Sequence, residues 1–468
     1  MELISPIDLA LLVGEIGSRT LHVAALMVFD PAEDQQETFV ELAYRRALTC
    51  TRVHPALMRR PSARLSTAGL PTWETIDRLD MSRHLQWSVL LPPAGDTELH
   101  RLVARLHEVR IDRSGPLWNA HLIEGLPGGR FALYVKIHHA LLDGMSGMRL
   151  VERSLSTDPR ERDMPVPLAC DGGEAPTSVV SDETGSSSRS IRRARDLAEG
   201  MVTAVDILGR ALFGEAGKVA AGLRSEATVL PMQAPRSVLN SRITPARTFS
   251  ARSWPKTRIR SVQDATGASS GDVILAMCAG ALRIYLLERG KLPDAPLIAL
   301  VPVAHRRRMD ADSGGNAVGL ALCNLGTDLA DPLDRLDLIV RSMTAAKKRI
   351  HEQGLYPSLV TAVPDLVPNL TTMLPLAPHL RPTFNLVVSN VPGPRQWLYW
   401  NGALLRQLYP VSVVFDGIDL NITICHYAGE LQFGCIGSPE SVPHIERLTE
   451  VLEEALCDLE TATATEGS

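Results

Sequence analysis

Apolar residues along this chain recur in two rhythms, at alternate positions and in three- to four-residue steps, and the two rhythms interleave over most of its length. The apolar runs at 21–29 and 131–137 predict strands, and the stepped stretches at 38–51 and 97–109 predict helices. After a polar gap the alternation resumes. Strands are expected at 297–303, 385–391, 411–415, 420–426 and 431–436, and helices at 270–289 and 442–458. Ala428-Gly429-Glu430, between the last two strands, is a hairpin signal, so part of the second sheet is expected to be antiparallel. Mixed α/β lobes on both sides of the gap follow.

The gap separates into two parts. Residues 163–190 are Pro, Gly, Ser, Thr and acid with almost no apolar periodicity, which is the composition of a solvated linker. Residues 191–224 place Ala194, Leu197, Ala198, Met201, Val205, Leu208 and Leu212 on one helical face, with Arg192, Arg193, Arg195 and Arg210 on the polar one. Such a helix either packs on a lobe or lies on a lipid surface. The expected organisation is an N-terminal lobe over 1–162, linker plus amphipathic helix over 163–235, and a C-terminal lobe over 236–468.

Composition narrows the function classes. A chain of 468 residues, 45% hydrophobic and 22% charged, exceeds one small core and can bury enough apolar surface to offset its entropy. Lys plus Arg number 48 against 53 Asp plus Glu, so no basic field exists to hold nucleic acid. The seven cysteines form no Cys-x-x-Cys pair and no metal-ligand spacing, and read as reduced, mostly buried thiols. The opening residues lack the basic and apolar stretches of a secretory signal. The longest strongly apolar run, 273–282, is about half of the roughly 20 residues that a membrane-spanning helix needs. A cytoplasmic protein that meets membranes only at their surface is expected.

One constellation carries chemistry. The strand at 131–137 runs directly into His138-His139-Ala140-Leu141-Leu142-Asp143-Gly144, and a helix-compatible stretch begins near Met145. Imidazole has an ordinary pKa near 6.5, so a positioned histidine is a competent general base at neutral pH, worth about 100- to 10,000-fold in rate. It could take the proton of an acceptor hydroxyl or amine as that group attacks an activated acyl carbonyl, with no nucleophilic Ser or Cys. Asp143, four residues after His139, either fixes the imidazole tautomer or anchors the loop, the commoner use of a loop carboxylate. Gly144 permits a tight turn or close approach to substrate. His138 reads equally as structural or catalytic, and two histidines hydrogen-bonded in a core is the bland reading of the pair.

Three further segments accompany this motif: Pro116-Leu117-Trp118 upstream, Asn385 to Pro394 with its Ser389-Asn390-Val391-Pro392-Gly393-Pro394 end downstream, and Ser5-Pro6-Ile7-Asp8 at the start. Together they make the chain resemble the bacterial wax ester synthase/diacylglycerol acyltransferase family over nearly its whole length. The His-His motif alone is shared with peptide-synthetase condensation domains and other relatives of chloramphenicol acetyltransferase. The resemblance implies an α/β fold of two chloramphenicol acetyltransferase-like domains with the active site in a tunnel between them. It implies His139 as general base with His138 and Asp143 in support, a substrate channel shaped by Pro116, Leu117 and Trp118, and second-lobe backbone brought close by Asn390, Pro392 and Gly393. Long-chain acyl-CoA would be co-substrate, with no metal and no other cofactor.

Read from the residues alone, Pro392 and Pro394 around Gly393 are a rigid turn ending a strand. Arg306, Arg307 and Arg308 are either a solvated basic loop or a contact for CoA phosphates. Gly315-Asn316 fits the family pattern. Gly271-Asp272 stands where many members carry Asn-Asp, and Leu325-Gly326 where Leu-Pro is frequent. The expectation is an acyl-CoA-dependent O-acyltransferase that makes triacylglycerol from diacylglycerol, with wax ester from a fatty alcohol as the second choice and peripheral contact with membrane or lipid droplets. A condensation-type enzyme and a non-catalytic lipid-binding protein are the alternatives from other classes.

Overall fold

In the first half of the chain the elements are β1 (Glu2–Leu3), α1 (Pro6–Gly14), β2 (His22–Asp30), α2 (Phe39–Leu48), β3 (Arg59–Pro61) and β4 (Thr72–Thr75). They continue with β5 (Leu85–Val89), α3 (Asp96–Glu108), β6 (Trp118–Glu124), β7 (Phe131–His138) and α4 (Gly144–Ser154). The second half opens with β8 (Thr248–Pro255), α5 (Lys256–Thr266), α6 (Ser270–Glu288), β9 (Ile298–Ala304), β10 (Val318–Asn324) and α7 (Pro332–Gln353). It ends with β11 (Leu386–Pro392), β12 (Tyr399–Trp400), β13 (Ala403–Val411), β14 (Leu420–Tyr427), β15 (Glu430–Gly437) and α8 (Ile445–Glu466). This computed structural model describes residues 2–15, 20–32, 38–62, 71–142, 144–168, 227–230, 232–304, 318–353 and 381–466. The amphipathic stretch 191–224, Asp143, Arg306 to Arg308 and Gly315-Asn316 lie outside the described residues.

Two six-stranded sheets carry the two lobes. The first runs β12-β13-β2-β7-β6-β5 and the second β10-β9-β11-β14-β15-β8, with a small β1-β4-β3 sheet at the side of the first. Most neighbours are antiparallel, while β11 lies parallel to both β9 and β14 in the second sheet and β5 parallel to β6 in the first. The expected hairpin is present: β14 and β15 pair antiparallel around Ala428 and Gly429, both at positive φ, the backbone of a tight primed turn.

Local rules account for several boundaries. Ser5 caps α1, its hydroxyl accepting the Asp8 N–H at 3.1 Å, which gives the Ser-Pro-Ile-Asp segment a helix-starting role. Ser269 and Asp272 form a capping box on α6, so the carboxylate of Gly271-Asp272 serves the helix start. Helix α6 has the length and apolar composition of a membrane span, yet it is buried as the central helix against the second sheet, between α7 and α8. Cys278, Cys323, Cys425 and Cys435 are buried thiols outside any disulfide, Cys50 and Cys457 are likewise unbridged and less buried, and Cys170 is outside the described residues.

Two differences from the sequence reading matter. A strand was expected at 411–415, whereas the strand is β13 and residues 415–418 form a turn closed by Phe415 and Ile418. A register shift between Leu405 and Gln407 puts the buried Leu405 and Leu408 three apart, so the apolar alternation that marks a strand is broken there. Moreover β12 and β13 pair in the first sheet, β13 against β2, so residues 236–468 do not form a closed lobe by themselves. Strand β13 also packs against β14 and β15. The approach is so close that a Cβ on Gly434 of β15 would stand 1.8 Å from the carbonyl oxygen of Pro410. A core cluster spans the seam: Leu99 and Val103 of α3, Tyr134 of β7, Tyr409 of β13, Phe249 of β8 and Ile436 of β15 are buried together.

Candidate active site

Strand β7 is buried along its whole length, with Phe131, Leu133, Val135 and Ile137 on the core of the first lobe and Ala132 and Tyr134 on the seam cluster. His138 ends the strand and His139 follows it. Backbone bonds fix both residues: His138 N–H donates to the Leu117 carbonyl, His139 N–H to the Leu21 carbonyl, and Leu141 N–H to the His138 carbonyl, each at 2.9 Å. The His138 side chain is 1% exposed, and its Nδ1 accepts the Ala140 N–H at 3.1 Å. Its Nε2 stands 3.9 Å from Oε2 of Glu15. Burial pulls the His138 pKa down to about 4, the Glu15 charge opposing and Arg113 and His139 adding to the fall. His138 is therefore neutral at physiological pH. His139 is half-buried, the more accessible of the two.

The motif's remaining described residue, Gly144, begins α4 and faces the other lobe: a Cβ there would lie 3.9 Å from Cγ2 of Val391 in β11. One helical turn further on, Met148 Sδ is 3.8 Å from Cys425 Sγ in β14. The motif and the Asn390 to Pro394 segment, about 250 residues apart in sequence, thus meet at the seam. Asn390 is exposed, and its Oδ1 accepts from His426 Nε2 at 2.7 Å; burial lowers the His426 pKa. Pro392 is exposed at the strand end. Gly393 is required by packing, because a Cβ would stand 2.6 Å from the His426 carbonyl oxygen and 2.7 Å from Cys425 Sγ.

Pro116, Leu117 and Trp118 are all buried, and their visible work is support. Leu117 holds His138 through its carbonyl. Trp118 donates from Nε1 to the Leu57 carbonyl at 2.9 Å, and its ring stacks on His84 at 4.8 Å. His84 Nδ1 in turn donates to the Trp118 carbonyl at 2.8 Å.

Polar groups missed by the sequence reading lie behind the pair. Lys136, 1% exposed, donates to the Leu106 carbonyl at 2.6 Å and to the Val109 carbonyl at 2.5 Å, tying β7 to the end of α3. Burial brings its pKa down to about 7, opposed by Glu15. His107 accepts from Tyr134 Oη at 2.7 Å and donates to the Ser412 carbonyl at 3.1 Å, a polar link from α3 to the segment after β13. Glu15 and Arg113 pair at 2.8 Å beside His138. Glu15 was visible in the sequence only as a lone acid closing the apolar stretch of α1.

Two sheet-bearing lobes that meet where β7 ends in His138 and runs into α4 are the arrangement of a two-lobed α/β fold of the chloramphenicol acetyltransferase type. Comparison with known proteins narrows the class. Residues 4–274 match the wax ester synthase/diacylglycerol acyltransferase catalytic domain, and residues 314–460 match the C-terminal domain of the same family. The chain belongs to the wax ester synthase/diacylglycerol acyltransferase family. Two Mycobacterium tuberculosis proteins that carry the name diacylglycerol O-acyltransferase are similar throughout: one is 40% identical over 98% of this chain and 99% of its own, the other 38% identical over 99% of each. The solved wax ester synthase/diacylglycerol acyltransferase from Marinobacter aquaeolei VT8 is 33% identical, with a TM-score of 0.78 over 99% of this chain and 100% of that one. The first condensation domain of the CDA synthetase shares the fold, with a TM-score of 0.55 at 15% identity over 98% of this chain and 95% of its own.

Proposed function

We propose that this acyltransferase moves a long-chain fatty acyl group from acyl-CoA to diacylglycerol, forming triacylglycerol, with His139 as general base. The observation that carries the reading is the placement of the pair. A buried, neutral His138 and a half-buried His139 end the central strand of the first sheet, where α4 meets β11 and β14. His139 takes the proton of the acceptor hydroxyl as the oxygen attacks the thioester carbonyl. The tetrahedral intermediate then collapses, and the CoA sulfur leaves with that proton returned from the imidazolium. The reaction is redox-neutral, and acyl-CoA is its co-substrate with no further cofactor in the balance. Arg306 and Arg307 are proposed contacts for the CoA phosphates. We propose a cytoplasmic enzyme that works at the inner face of the membrane or on lipid droplets, a reading supported by the lipid nature of its proposed acceptor and product.

The test offers palmitoyl-CoA with diacylglycerol and with hexadecanol to the purified protein, and records thiol release and lipid products beside a His139→Ala control. Triacylglycerol in excess supports the reading, and wax ester in excess moves the acceptor to a fatty alcohol. CoA release no greater than the control with both acceptors would overturn it, and would point to carrier-bound substrates or to lipid binding without turnover.

A further inference from the structure

Glu15 is a buried carboxylate, its side chain 3% exposed, at the end of α1. Oε1 accepts the Leu21 N–H at 3.1 Å, and Oε2 accepts from Arg113 Nη2 at 2.8 Å while standing 3.9 Å from His138 Nε2. Leu21 in turn takes the His139 N–H on its carbonyl at 2.9 Å. Because His138 Nδ1 accepts the Ala140 N–H, the neutral ring carries its proton on Nε2, the nitrogen that faces the carboxylate. One acid therefore reaches both histidines, the first through its charge and the second through the Leu21 peptide. The Arg113 side chain, 44% exposed, also donates to the Leu12 carbonyl at 2.7 Å and so reaches in from the surface to the end of α1.

An ion pair with one buried and one exposed partner is a weak source of stability, because solvent screens the arginine while desolvation of the carboxylate offsets much of the attraction. Its position next to a reactive group is better explained by orientation. We propose that Glu15 is the positioning residue of the histidine pair, with Arg113 as its counter-ion: its charge reinforces the Nε2–H form of His138 that the Ala140 N–H requires, and its other oxygen ties His139 to the strand end through Leu21. The proposal rests on the reading of His139 as the base. A displacement of the base by about 1 Å is enough to cost on the order of 100-fold in rate.

The test is Glu15→Gln in the full chain, which keeps an oxygen for the Leu21 N–H and removes the charge. The expected result is a kcat lowered by about 100-fold with both KM values within about twofold. Nitrogen-15 spectra of the histidines should show His138 as Nε2–H in the native protein and as a tautomer mixture in the variant. A variant that turns over at the native rate, or one whose His138 spectrum is unchanged while kcat falls in step with thermal stability, would overturn the proposal. If Glu15→Gln does not fold, Arg113→Gln is measured instead: a lowered kcat with both KM values held supports the assignment, and turnover at the native rate defeats it. The failure of the general-base reading is distinguishable, because it shows as turnover retained by His139→Ala and leaves the His138 spectrum unaffected.

Discussion

The backbone N–H of His138 donates to the carbonyl of Leu117 at 2.9 Å, so the buried Pro116-Leu117-Trp118 segment holds the end of the strand that presents the histidine pair. Family resemblance suggests a substrate channel for this segment, whereas its contacts here are those of a support. Removing the Trp118 indole donor separates the two roles. Trp118→Phe leaves the Leu57 carbonyl without its partner and should lower stability by about 1–3 kcal/mol with acyl-chain preference unchanged. Thermal unfolding beside a competition between palmitoyl-CoA and octanoyl-CoA checks it, and altered chain preference at native stability would favour the channel role.

The two histidines should separate by their burial. His139 is half-buried, so His139→Ala should lower kcat by about 100- to 10,000-fold with little change in the melting temperature. His138 is fully enclosed, and His138→Ala should lower both turnover and melting temperature through the cavity it leaves. Steady-state kinetics and calorimetry on the two variants give the comparison.

Close packing of β13 against β15 makes Gly434 the glycine least tolerant of a side chain among the described residues. With Pro410 oxygen 1.8 Å from the added Cβ, Gly434→Ala should cost more than about 4 kcal/mol or abolish soluble expression. At Gly144 the corresponding distance is 3.9 Å, an ordinary contact, so Gly144→Ala should be close to native in stability. Urea midpoints of the two variants are the measurement.

Stability should fall with acid. Burial lowers His100, His121 and His138 to about 4 from an ordinary value of 6.5, so between those limits the unfolded chain binds more protons and stability declines as pH drops. Lys136, lowered by burial from 10.5 to about 7, adds stability as pH rises through that interval. Asp419, raised to about 6 by burial, opposes the acid trend with one group against three. Urea midpoints should therefore rise between about pH 5 and 7, while near pH 9 the buried thiols Cys278, Cys323, Cys425 and Cys435, whose pKa values burial raises, oppose the Lys136 gain.

Asn390 and His426 should act as a unit. Their hydrogen bond joins β11 to β14 at the strand ends, so Asn390→Ala, His426→Ala and the double variant should show similar losses of kcat/KM. Additive losses would assign Asn390 a role of its own.

Local pattern was enough for much of this protein. Strand β7 was legible because apolar residues surround a single Lys136, and the motif because two histidines follow that strand directly. The β14–β15 hairpin and the start of α6 were legible from a turn and from apolar periodicity. These signals act within a few residues, through pleat, helical pitch and capping, and one chain is sufficient to read them. The path of β13 into the first sheet was not legible, since its bulge breaks the alternation and its partner β2 lies nearly 400 residues away in sequence. The same holds for the site's surroundings. Glu15 meets Arg113 across 98 residues and His138 across more than 120, and Gly144 meets Val391 only because two sheets stack at one seam. Periodicity determined the strands whose alternation is unbroken, and residue type determined which side chains could do chemistry, while the stacking of the strands decided which histidine is sealed and neutral, which is open, and which carboxylate stands beside them.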